Sequence, residues 1–177
     1  MAQEASSLRS LLTRARSVEA RAATVITRRL EASVVRPLSE ALASSSESEV
    51  HSETPTDGGV AEELWTLARD ATTLCASGDA PLQLVEAAAA LQDLACQAAT
   101  VDDADQTAAR LAELKILQAA MAPGIQAESN GPYLVTSAEH LRNWLSEHIP
   151  VRPLMALCRC GRSAIKPVRC FNPAHVK

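Results

Sequence analysis

Residues 81–98 read PLQLVEAAAALQDLACQA, and the reading of this stretch decides the fold. Pro81 suits the start of a helix, where a missing N–H costs no hydrogen bond. Leu82, Leu84, Val85, Ala88, Leu91, Leu94 and Ala95 then recur at spacings of three and four, which gathers them on one helical face. The composition points the same way across the 177 residues. Hydrophobic residues make up 47% but aromatic residues only 2%, namely Trp65, Tyr133, Trp144 and Phe171, so alanine supplies much of the apolar content. Alanine-rich sequence poor in β-branched and aromatic side chains favours helix. A large sheet sandwich is excluded, and single-strand nucleic-acid binding by base stacking has too few platforms.

Upstream, Leu8, Leu11, Leu12, Ala15, Val18, Ala22, Val25, Ile26 and Leu30 predict a helix over residues 5–35, with Arg36-Pro37 as its stop or kink. Residues 44–59, SSSESEVHSETPTDGG, read as a flexible linker in which His51 is solvated. Leu64, Trp65, Leu67, Ala68, Ala71 and Leu74 predict a helix over 60–76, stopped at Gly78. Downstream, Asp102, Asp103 and Asp105 sit where a helix amino terminus favours acids, so they read as capping. That helix holds Ala108, Leu111, Leu114, Ile116, Leu117 and Ala120, and Pro123-Gly124 closes it. Tyr133-Leu134-Val135-Thr136 is short and β-prone. Thr136 with Glu139 fits a capping box for a short helix carrying Leu141, Trp144, Leu145 and Ile149 and ending at Pro150. His140 and His148, eight apart, fall near one face of that helix at the surface.

The net charge of −4 is unevenly spread. Seven arginines face three glutamates before Pro37, acids dominate from there to Ala138, and the balance turns basic again from Glu139. A basic first helix can fold over the acidic middle or meet an acidic partner; the intramolecular reading is preferred. No run approaches the roughly 20 apolar residues of a membrane span. The start, MAQEASSLRSLLTRARSVEA, lacks an unbroken apolar core and a small-residue cleavage site, so secretion is not expected. Five cysteines, at 75, 96, 158, 160 and 170, are an odd count that argues for a reducing, cytoplasmic setting over a disulfide framework. Cys75 and Cys96 fall in or beside helical stripes and read as core packing.

Three of the five cysteines crowd into the last 20 residues, where Cys158, Cys160, Cys170 and His175 form a candidate set of four metal ligands. In extended chain, side chains alternate with period two, so a Cys-x-Cys pair presents both sulfurs to one side. Three thiolates and an imidazole suit an iron–sulfur cluster or zinc, not calcium or magnesium. A zinc site and a tail of unliganded thiols are the competing readings of the spacing.

Cys158-Arg159-Cys160, Gly161-Arg162, Ser163, Ala164-Ile165-Lys166 and Pro167 follow one another in the pattern Cys-x-Cys, two residues, Ser or Thr, three residues, Pro. With GPYLVT, HLRNWL and VRPLMAL ahead of it, residues 131–167 resemble the CDGSH iron–sulfur domain family, especially its bacterial members. The resemblance implies a 2Fe-2S cluster held by three Cys and one His, with Cys158 and Cys160 on one iron. Cys170 and His175 stand where the second iron's ligands would be. After Pro167 the spacing departs from the family. Val168 and Arg169 precede Cys170 where the family has one residue, and Phe171-Asn172-Pro173-Ala174 replaces Asp-Gly-Ser/Thr before His175. This loss of register reads as a frame-shifted or truncated end.

No HExxH, Gly-rich phosphate loop or GxSxG occurs. The expectation is therefore a mainly α protein: an amphipathic helix over 1–43, a linker over 44–59, a helical bundle over 60–124, and a small α+β or irregular metal-binding tail. That tail, 131–177, is an incomplete CDGSH-like domain. The expected function is 2Fe-2S binding in electron transfer or iron–sulfur homeostasis without enzyme activity. The expected partner is a redox or cluster-acceptor protein, not a membrane or nucleic acid, with homo-oligomerisation left open. The alternative is a helical interaction protein whose tail binds zinc or no metal.

Overall fold

The computed structural model describes residues 2–43, 59–78, 80–98, 104–127, 132–142, 145–148 and 150–157. The protein is mainly helical, with a small antiparallel sheet near the carboxyl end. The helices are α1 (Ala2–Arg21), α2 (Thr24–Leu30), α3 (Arg36–Ala43), α4 (Val60–Ala76), α5 (Leu82–Ala98) and α6 (Ala104–Leu117), with a π-helical turn, Glu31–Val35, joining α2 to α3. Strands β1 (Gly124–Ala127), β2 (Tyr133–Thr136) and β3 (Leu154–Leu157) lie in the order β1-β2-β3.

The stretch that decides the fold is the central element. All residues from Ala87 to Ala95 are buried, so α5 is enclosed on every side instead of along one face. It packs on α4, α3, the π turn, α2 and β3. Its alanines make this feasible, because small side chains let neighbours approach all round. Pro81 precedes α5 and its carbonyl accepts from the Leu84 N–H at 2.9 Å, opening the first turn. On the α4 side of the same connection, Gly78 takes φ +124°, a conformation that L side chains rarely adopt. The Ser77 hydroxyl donates to the Leu74 carbonyl at 2.7 Å and closes α4.

The single helix expected over 5–35 is instead interrupted at Ala22-Ala23 and continues past Pro37. At the break, the Thr27 hydroxyl lies 3.0 Å from the Ala22 carbonyl and 3.2 Å from that of Glu19, within reach to donate its one proton to either. The interruption rotates the apolar stripe: Leu8, Leu11, Leu12, Ala15 and Val18 are buried before it, Leu30, Val34, Val35 and Leu38 after it, and Val25 is exposed. The π turn carries the chain into Pro37 without a stop. The Arg36 N–H reaches back to the Glu31 carbonyl, and the Arg36 guanidinium donates to the Ala32 carbonyl at 3.2 Å. Pro37 has no N–H with which to serve the Ala32 carbonyl five residues back, and the Arg36 side chain stands in for it.

Basic α1 and α2 do fold over the acidic middle. Arg14 pairs with Asp70 at 2.6 Å, Arg21 with Glu63, and Arg29 with Asp93 at 2.8 Å. Arg110 of α6 pairs with Glu62 and places its guanidinium 5.2 Å from the centre of the buried Trp65 ring, a cation–π contact. α1, α3, α4 and α5 thus share one hydrophobic core, to which β3 contributes Leu154.

β2 lies where the sequence placed extended chain, whereas β1 has an exposed four-residue pattern without alternation and is legible only from its pairing with β2. The short helix expected between Thr136 and Pro150 is not formed among the described residues. Thr136 is the last residue of β2, paired with Leu154, and so does not cap a helix. Ser137 and Ser146 adopt left-handed φ values of 56° and 63°, and Arg142 pairs with His148 in an isolated antiparallel bridge. The Ser137 N–H donates to the Pro153 carbonyl at 2.8 Å, which turns the chain back toward β3 at the point where a helix would start. Leu145 is exposed, not part of a buried stripe, and Trp144 and Ile149 lie outside the described residues. No described helix is long and apolar enough to cross a membrane.

Candidate metal centre

β3 runs to Leu157, one residue short of the Cys158-Arg159-Cys160 motif. Its position is set by polar side chains from inside the helical bundle. Gln92 of α5 is fully buried and its Oε1 accepts from the Leu154 N–H at 3.0 Å. Its Nε2 donates to the Thr72 hydroxyl at 2.9 Å, and that hydroxyl donates to the Ala68 carbonyl at 2.6 Å. Gln118, just past α6 and only 1% exposed, donates from Nε2 to the Pro153 carbonyl at 2.7 Å.

Beside this contact lies a charged cluster. Asp93 of α5 is buried, receives the Arg29 guanidinium at 2.8 Å and the Gln97 amide at 2.5 Å, and has Arg152 at 4.0 Å. Burial lowers the Arg29 pKa, since the charged guanidinium loses water. Arg152 immediately precedes Pro153, so the cluster reaches the start of β3 through the chain itself.

Cys158, Cys160, Cys170 and His175, the four proposed ligands, all lie outside the described residues, as do Arg159, Arg162, Lys166 and Arg169. His51, Asp102 and Asp103 lie outside them too; Asp105 stands in the first turn of α6. Among the described residues no group of three or more His, Cys, Asp or Glu side chains could hold a metal ion. The chemistry of the donor set fits a 2Fe-2S cluster or zinc: three soft sulfurs and one imidazole, with no oxygen ligand.

The remaining candidates resolve differently. Cys75 is buried in the core and its thiol is pushed up to about 12 by burial. Cys96 is half-buried; burial raises its pKa too, against the opposing charge of Arg152. Both are therefore thiols at neutral pH, as befits packing groups. His140 and His148 are exposed and do come together, ring centres 6.3 Å apart at 74°. The loop built on the Arg142–His148 bridge juxtaposes them, not a helical face.

Sequence reasoning missed Gln92, Asp93 and Gln118. A signal for the first was present, since Gln92 follows Ala88 by four and precedes Ala95 by three, inside the apolar period. A polar residue at such a position requires a buried partner.

No family model matches the chain, and neither a curated protein nor a solved structure matches it with significance.

Proposed function

We propose that this chain is a 2Fe-2S-binding protein of CDGSH type that passes electrons or cluster to a partner protein in a reducing, cytoplasmic setting. Cys158, Cys160, Cys170 and His175 are its ligands in this reading. The observation that carries the reading is the ten-residue run Cys158–Pro167, which keeps Cys-x-Cys, Ser163 and Pro167 at the family's spacing. That β3 ends at Leu157, immediately before the motif, supports it.

When bound, such a cluster supplies one-electron chemistry, and an imidazole ligand leaves it less negative than four thiolates would. Arg159, Arg162, Lys166 and Arg169 offset the remaining negative charge. His175 must be neutral to ligate. Because free imidazole titrates near pH ~6.5, acid competes with the metal for it.

Purified from iron-supplied cells, the chain should be reddish, and its visible absorption should disappear on acidification and in Cys158→Ala. A colourless protein holding one zinc per chain would establish the zinc alternative instead. A colourless, metal-free protein would leave a helical interaction protein.

A further inference from the structure

The Pro153–Leu154 peptide group is gripped at both ends by buried side chains of the helical bundle. Gln118 Nε2 donates to its carbonyl at 2.7 Å, and Gln92 Oε1 accepts from its N–H at 3.0 Å. The Ser137 N–H adds a second donor to the same carbonyl at 2.8 Å. Two amide side chains, at 0% and 1% exposure, thus converge on one peptide bond, four residues before Cys158. Gln92 has both ends of its amide paired, to Leu154 and Thr72, whereas Gln118 pairs through Nε2 and its buried Oε1 has no hydrogen-bond partner among the described residues. Breaking either contact to the strand would leave a further buried polar atom unpaired, which disfavours any other placement. Sliding β3 by one residue would break both bonds and exchange its two faces, sending Leu154 out of the core and altering the approach to everything downstream.

We propose that Gln92 and Gln118 are positioning residues, fixing the register of the strand from which the chain passes into Cys158 and Cys160. The helical bundle is then the scaffold of the metal centre. This inference rests on the reading of the tail as a metal site.

The test uses the full chain carrying Gln92→Leu or Gln118→Leu, with Leu67→Ala as a matched control for bundle destabilisation. Each protein is reconstituted with ferrous iron and sulfide, and the loss of visible absorbance is timed at fixed mildly acidic pH. Losing one buried hydrogen bond is worth about a factor of ten in the population of strands held in register, so each glutamine variant should bleach about tenfold faster than wild type. Leu67→Ala should bleach at nearly the wild-type rate despite a comparable or greater loss of thermal stability. In the metal-free proteins, hydrogen exchange at the Leu154 amide should accelerate in the glutamine variants by more than exchange at the Leu91 amide. A wild type that takes up no iron and sulfide overturns the reading of the tail, and this inference with it. A coloured wild type whose glutamine variants bleach at its own rate, or no faster than Leu67→Ala, overturns the inference alone.

Discussion

Replacing Asp93 by Asn removes one negative charge from a site occupied by two arginines. Asp93 is buried on α5, with Arg29 at 2.8 Å and Arg152 at 4.0 Å. Deleting one partner of a buried ion pair typically costs about 3–5 kcal/mol, because the other charge remains desolvated and unpaired. The side chains of Arg29 and Arg152 keep 21% and 17% of their exposure, so water recovers part of that loss. We expect about 3 kcal/mol for Asp93→Asn, a large fraction of the ~5–15 kcal/mol that holds a domain folded. The internal comparator is Arg69–Glu113, also 2.8 Å long but about half exposed, where Arg69→Ala should cost under about 1 kcal/mol. Urea unfolding followed by far-ultraviolet circular dichroism measures both. With a slope of about 2 kcal/mol per molar urea, Asp93→Asn should lower the midpoint by roughly 1.5 M. Arg29→Met combined with Asp93→Asn should cost less than the sum of the single changes, since both act on one contact. A midpoint for Asp93→Asn no lower than that of Arg69→Ala would refute the claim that α5 holds a desolvated charge cluster.

Two further outcomes follow from the packing and from burial of a thiol. Leu64→Ala, at a fully buried position of α4, should cost about 3 kcal/mol and lower Tm by roughly 10 °C, whereas Ile116→Ala, at 74% exposure, should stay within about 0.5 kcal/mol; calorimetry on both checks the placement of the core. Cys75 holds its proton to about pH 12 when folded but releases it near pH ~8.5 when unfolded. Across that window the unfolded chain binds fewer protons, so stability falls as pH rises, by about 1 kcal/mol per pH unit. Denaturant midpoints of wild type and Cys75→Ala between pH 8.5 and 10.5 should therefore converge, and parallel pH profiles would place the thiol in water.

The helices were legible because their signals are local. Spacing found the faces of α4 and α5, Gly78 marked the end of one and Pro81 the start of the other, and these positions carry those roles in the structure. Phase was less legible. Nothing in Ala22-Ala23 announces a break, so Val25 was expected inside and lies outside. Pro37 announced a stop or a kink; the helix does not stop there, and a π turn and the Arg36 side chain absorb the missing donor. The expected helix after Thr136 failed for a non-local reason: the Ser137 N–H is taken by Pro153, sixteen residues on, and no capping pattern encodes that competitor. Of the candidate site, cysteine spacing in the sequence supplied the proposed ligands Cys158, Cys160, Cys170 and His175, which lie outside the described residues. The buried glutamines that hold the strand leading to it stayed hidden, because their partners are backbone groups of one peptide far along the chain.

The composition of α5 explains why polar groups are needed at its centre. From Ala87 to Ala90 the helix offers four consecutive methyl groups, which permit close approach from any side but give neighbours few ridges to interlock with. Apolar burial is non-directional, so such a surface attracts a strand without choosing its register. Gln92 adds to that choice, since its hydrogen bond to the Leu154 N–H is made in one placement of the strand, on top of the pairing of β3 with β2. Had α5 carried leucine at position 92, the Leu154 N–H would have lost its partner, and the register of β3 would rest on its pairing with β2 and on the burial of Leu154 and Met155 alone. The buried glutamine thus adds to a smooth apolar helix a directional contact for the strand that ends beside Cys158.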